Sequence, residues 1–211
     1  MKHSTYTSYP NVHLSVIEAS TIKAKHMLDT GAIDLIITSQ PLDQDGYEVQ
    51  LCYQEQLIIA VPKEYQVNQK LTDNCLQWET PNSDKTMLVS LQEFEHTPFI
   101  LLNRGNYLRS CTDMLFREAQ IEPEVVLEVE QSSVAYNFAN YGLGAAIFSS
   151  RFISRDYFKN LKYYAIASEY AQRKGYVCFR RGCYVTTAMQ QFIQMLRNAA
   201  EEHGTMQYYL Q

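Results

Sequence analysis

An α/β fold on an open, mainly parallel sheet is what this sequence predicts, on three observations. Apolar runs of strand length alternate with segments of helical spacing along nearly the whole chain. Two of the runs, residues 33–38 (IDLIIT) and 57–61 (LIIAV), are almost continuously apolar, as strands covered on both faces are. The helical segments open on Ser, Thr or Asn and several close at Gly, which gives them their own start and stop signals.

In chain order, residues 12–17 (VHLSVI) alternate apolar and polar after Pro10 and predict a strand. Ser20 or Thr21 caps a short helix with Ile22, Met27 and Leu28 inward and Gly31 as its stop; IDLIIT then completes a β-α-β unit. After a polar loop, residues 47–53 and 57–61 read as two strands, the second closed by Pro62. Residues 63–82 read as loop, and Leu88, Leu91 and Phe94 have helical spacing. A second β, α, β, α, β series follows. It comprises strand 99–102, turn 103–106, a helix through Leu108, Cys111, Leu115 and Ala119, and strand 125–129. Ser132 or Ser133 then caps a helix with Val134, Phe138 and Tyr141 on one face and Gly142 at its end, and strand 145–148 follows. Residues 161–166 and 176–179 are the remaining strands. The last helix is capped by Thr186 or Thr187, with Met189, Phe192, Ile193 and Leu196 on its apolar face, Arg197 away from it and Gly204 as terminator; residues 206–211 form a tail.

A chain of 211 residues that is 46% hydrophobic can bury a large core as one domain or two small ones. A formal charge of -5 argues against holding nucleic acid on its own surface, which needs a net basic face. Arg173, Lys174, Arg180 and Arg181 form the densest cationic cluster, expected at a solvated strand end. The five cysteines are odd in number and contain no Cys-x-x-Cys pair, as expected of reduced thiols in a cytosol. The first ten residues contain no apolar stretch of the kind found in signal peptides, and no segment is long enough to span a bilayer, so neither secretion nor membrane insertion is expected. No phosphate loop, Gly-x-Ser-x-Gly elbow, nucleophile with a base beside it, or metal-ligand spacing is present, so no catalytic residue, metal or cofactor is expected. Residues 131–133, between a strand and a helix start, are a candidate cradle for an anion or carboxylate, with an ordinary cap as the plainer reading.

Four stretches in order, YPNVHLSVIEA, LDTGAIDLIIT, EQLIIAVP, and YGLGAAIF with RKGYVCFRR and TTAMQQFIQML, resemble the effector-binding region of LysR-type transcriptional regulators. The resemblance spans nearly the whole chain. It implies a two-lobed, type 2 periplasmic-binding-protein-like fold with mainly parallel sheets and two crossover strands. Residues 1–62 with 152–211 would form the first lobe and 63–151 the second. A small effector, a carboxylate among the candidates, would meet Thr38, Ser39, Val61, Pro62, Asn103, Arg104, Gln131, Ser132 and Ser133. Arg104 is the best-placed cation, because its planar fork can bind both carboxylate oxygens. A cytoplasmic homodimer is implied, with residues 20–30 as a candidate face, and DNA would be reached only through a winged helix-turn-helix absent from this chain. The family's effector region opens with a strand that would precede Met1. Without it, backbone and apolar surface should be left unpaired, at about 1 to 3 kcal/mol per unsatisfied buried group. The family's usual proline after GLGAAIF is replaced here by Ser149 and Ser150. A stand-alone solute-binding protein of the same fold is the second reading, and an enzyme on that fold the third.

Overall fold

The computed structural model describes residues 12–71, 75–76, 88–152 and 160–202. Trp78, Gly204 and the tail lie outside them. The chain packs into two compact units, residues 12–54 with 174–202 and residues 55–173. The changeovers fall inside two long strands, β2 (Tyr47–Pro62) and β7 (Gln172–Arg180), which run through both units. The expected boundaries at residues 62/63 and 151/152 lie away from these points, because a strand belongs wherever its ladder partners are.

In unit 1, Ser20 caps helix α1 (Thr21–Asp29), its side chain accepting the Lys23 amide at 3.4 Å. Gly31 at φ 75° turns the chain toward β1 (Ile36–Thr38), using a conformation that costs glycine least. β1 pairs antiparallel with β7, Ile36 opposite Cys178. Adjacent β7 residues face opposite ways. Cys178 packs with Leu28 of α1, Ile36, Leu42 and Tyr47, while Val177 and Phe179 pack with Ile193 of helix α5 (Thr187–Glu202). The two helices therefore cover opposite faces of the unit 1 sheet. As predicted, Thr186 caps α5, accepting the Met189 amide at 3.1 Å.

Three expectations in this unit are corrected. Residues 12–17 form no strand among the described residues, because alternation by itself does not fix a regular ladder. Ile22 points outward, 85% exposed, and only Leu28 of the expected stripe is fully buried. The two strands read at 47–53 and 57–61 are one continuous 16-residue strand.

Unit 2 is a sheet in the order β6-β2-β5-β3-β4, with β6 (Leu161–Ala165) and β5 (Ala145–Ser149) antiparallel to β2. β3 (Pro98–Leu102) lies parallel to both β5 and β4 (Glu124–Val129). The core centres on residues 57–61 of β2, all at 0% exposure, with Phe94, Phe99, Phe148 and Tyr164 around them. Helix α2 (Val67–Lys70) places Asn68 to hydrogen-bond the Pro62 carbonyl and the Tyr164 hydroxyl, at 2.7 and 2.8 Å. Leu91–Phe94 forms a single 3-10 turn. Helix α3 (Tyr107–Glu118) starts at Asn106, which accepts the Leu108 amide at 2.8 Å.

Helix α4 (Ser132–Asn140) departs from its reading. Its N-cap is Gln131, with no side-chain capping bond, and it buries Ala135, Tyr136 and Ala139 while Tyr141 is 79% exposed. The buried Tyr136 ring stacks edge-on against Phe148, and its hydroxyl meets that of Tyr163 at 2.6 Å. That contact selects the face that turns inward.

Candidate functional site

The strands of unit 2 that run parallel end together. β3 delivers the chain to Asn103 and Arg104, and β4, in register with it at Leu102 and Val129, delivers it to Gln131. β5 runs the same way and ends at Ser149. In parallel α/β sheets this carboxyl edge is where ligands are held, because helix starts with free amides follow each strand. The Asn103 amide donates to the Val129 carbonyl at 2.7 Å, tying the first two ends together.

At this edge Asn103, Arg104, Gln131 and Ser133 are exposed and Ser132 is half-buried. Because Gln131 contributes no capping side chain, the first amides of α4 keep a partial positive charge directed at the edge. Asn106 already occupies the equivalent position on α3.

Beneath the rim lies a buried polar group that the sequence reading did not assemble. The Glu55 side chain, 6% exposed, accepts the Ser149 hydroxyl at 2.6 Å. Arg173 Nε lies 3.3 Å from Glu55 Oε1 without hydrogen-bond geometry, and the guanidinium sits 5.3 Å over the Tyr107 ring. Gln56 donates to the Ile166 carbonyl at 2.9 Å and receives nothing on its own buried Oε1. Its amide donates to the Ser150 hydroxyl. Arg173, expected among solvated strand-end cations, is thus a side chain only 10% exposed, whereas Arg180 and Arg181 are exposed as expected. The nearest signals were the Glu55-Gln56 pair ahead of an apolar run and the serines where a proline is usual. Nothing in the sequence placed Arg173 beside them.

The remaining predicted residues lie elsewhere. Val61 and Pro62 are buried in the β2-β6 ladder, opposite Lys162 and Leu161. They are roughly 20 Å along the strand from Glu55, at about 3.3 Å per residue. Thr38 and Ser39 belong to unit 1, where the Thr38 hydroxyl closes a turn by accepting the Gln40 amide and donating to its carbonyl, both at 3.0 Å.

The edge offers amides, hydroxyls and one exposed guanidinium, a donor-rich lining suited to a small anion. Among the described residues no cluster of three or more His, Cys, Asp or Glu could hold a metal ion, and no helix is long and apolar enough to cross a membrane.

Comparison with known proteins gives the family and the fold. The family model described as "LysR substrate binding domain" matches residues 5–201. The uncharacterized HTH-type transcriptional regulator YcgK of Bacillus subtilis (strain 168) is 23% identical over 206 residues; the match takes in 92% of this chain and 60% of that protein. The chain therefore spans about three fifths of that relative's length. The BenM effector binding domain with its effector benzoate superposes with a TM-score of 0.73 at 20% identity, covering 97% of this chain and 86% of that one. The effector binding domain of QuiR in complex with shikimate gives 0.68 at 18% identity, covering 96% and 89%.

Proposed function

Since the chain belongs to the LysR substrate-binding domain family, we propose that it senses a small carboxylate effector at the carboxyl edge of unit 2, within a longer DNA-binding regulator. The observation that carries this reading is the meeting of Asn103, Arg104 and residues 131–133 on one edge, with an uncapped helix start between them. Arg104 takes the carboxylate bidentately, and the first amides and serine hydroxyls of α4 hold it from the other side. The Glu55, Ser149, Arg173 and Tyr107 group forms the floor and fixes the end of β5 against the middle of β2. The two structural relatives carry carboxylates, benzoate and shikimate, which supports the ligand class. The relative named as an HTH-type regulator supports the regulatory setting. Assembly as a homodimer through α1 is part of the same reading, supported by the exposed Ile22.

The test is a panel of aliphatic and aromatic carboxylates read by thermal melting. A ligand at one hundred times its dissociation constant adds about 2.7 kcal/mol of stability. Arg104→Ala is expected to weaken that ligand at least about tenfold, roughly the 1.5 to 3 kcal/mol of a charged hydrogen bond, with the unliganded melting temperature unchanged. If no carboxylate moves the melt, or if Arg104→Ala binds as the parent does, the site assignment fails.

A further inference from the structure

On the floor of the carboxyl edge of unit 2, the Arg173 side chain is only 10% exposed, and its buried Nε has no hydrogen-bond acceptor. Its contacts among the described residues are the Glu55 carboxylate at 3.3 Å, out of hydrogen-bond alignment, and the Tyr107 ring at 5.3 Å. Glu55 balances the charge, and the ring attracts it without offering the N–H groups an oxygen. A guanidinium carries its N–H donors in a planar fork, and a buried donor left unfilled costs about 1 to 3 kcal/mol. The pair has its charge matched and its hydrogen bonding incomplete.

Its place in the fold connects it to the rim. The Asn106 amide donates to the Asn103 carbonyl at 3.3 Å, closing a turn with Arg104 and Gly105 at its centre and Gly105 at φ 92°. The ends of such a turn lie within about 7 Å of each other, and Tyr107, 39% exposed, is the next residue. Arg173 contacts both that ring and Glu55, and the Ser149 hydroxyl ties Glu55 to the end of β5. A ligand whose carboxylate is held at Arg104 therefore meets the Tyr107 ring next, and beneath it the Arg173 and Glu55 pair.

The charge of the pair decides what fits it. Arg173 can only donate, while a carboxylate offers about four acceptor positions and can take a further donor besides Ser149. A second carboxylate on the ligand would satisfy Arg173 but stand against Glu55. A hydroxyl accepts from the one, donates to the other and adds no charge. We propose that the effector is a hydroxy acid, with its carboxylate at Arg104 and its hydroxyl accepting from the Arg173 guanidinium and donating to Glu55. Arg173 and Glu55 then determine which acids the edge selects, a role that rests on the carboxylate reading of that edge.

The experiment is calorimetric titration of the 211-residue chain with matched acids. Butyrate is compared with beta- and gamma-hydroxybutyrate and succinate, and benzoate with its meta- and para-hydroxy, methoxy and carboxy derivatives. At least one hydroxy acid is expected to bind about tenfold to a hundredfold more tightly than its parent, as a hydrogen bond to a charged group contributes. A methoxy group accepts but cannot donate to Glu55, so on the unaltered chain it is expected to lose most of that preference. Arg173→Lys keeps a positive charge beside Glu55 and loses the planar fork. The ratio of hydroxy-acid to parent-acid affinity measured within that variant is expected to collapse, whereas Arg104→Ala weakens both acids by the same factor. Hydroxy acids that bind no better than their parents, a methoxy acid that binds as well as the hydroxy acid, or a preference that survives Arg173→Lys overturns this proposal and leaves the carboxylate site standing. A dicarboxylate that binds more tightly than any hydroxy acid also overturns it, because the floor then takes a second charge. If no acid of any kind binds, the carboxylate reading fails and this one with it.

Discussion

At the residue scale, the informative side chains are those whose partners come from distant parts of the chain. Asp29 ends α1, where its carboxylate accepts the Tyr47 hydroxyl and meets Lys25 Nζ at 2.9 Å, while the ammonium sits 5.0 Å over the Tyr47 ring. The Tyr47 hydrogen bond, and then Lys25, hold the Asp29 carboxyl below its ordinary 3.8. The same group, Tyr47 first and then Asp29, raises the Lys25 ammonium to about 12. A depressed carboxyl stabilises the fold above its unfolded pKa, and that contribution disappears as pH falls through the folded value. Asp29→Asn is therefore expected to lower the urea midpoint near neutrality and to match the parent once pH is well below 3.8. A variant deficit that persists undiminished in acid would show that the carboxylate charge is not what matters. None of this was legible in sequence, because the 18-residue separation of Tyr47 and Asp29 marks no motif. Arg109 teaches the same lesson. It is buried in α3, and it reaches Asp113, Glu128 and the Leu102 carbonyl, an anchor between helix and sheet that reads in sequence as an ordinary helical arginine.

At the element scale, β2 and β7 decide most of the architecture, and a glycine shows how closely they are fitted. Gly175 of β7 is buried, and a Cβ there would stand 2.1 Å from Tyr53 Cζ, so the phenol ring lies directly on the glycine backbone. Gly175→Ala is expected to cost about 1 to 3 kcal/mol through overpacking. That amounts to a fall of several degrees in Tm, at about 2 to 4 °C per kcal/mol for a chain of this size. Tyr53→Ser in the Gly175→Ala background should recover part of the loss. An alanine variant as stable as the parent would mean that the ring moves aside freely. The strands with strong local signals, β3, β4, β5 and β6, fall within about a residue of their sequence reading. The failures are residues 12–17, the split of β2 and the buried face of α4. In each, local pattern allowed two outcomes and tertiary context chose, as the Tyr163 hydroxyl did for α4.

At the scale of the whole molecule, the proposed homodimer rests on α1, whose expected inner residue Ile22 is 85% exposed. Sedimentation equilibrium of Ile22→Glu is expected to shift the chain to monomer, with the thermal melt of the monomer retained because the side chain is outside the core. An unchanged dimer would move the interface off α1. The sequence by itself determined the order of most elements and the positions of β3, β4, β5 and β6, since these follow from apolar periodicity, caps and turns, which are local properties, while the family was legible through the resemblance of four ordered stretches. It also put Asn103, Arg104 and residues 131–133 at strand ends that do come together, because strands that are parallel neighbours finish on one edge. Only the tertiary structure decided that Val61 and Pro62 lie inside a ladder and that Arg173 is buried against Glu55 and Tyr107. Burial and pairing are set by which distant segments meet, and a residue's own neighbours in the chain carry no record of that.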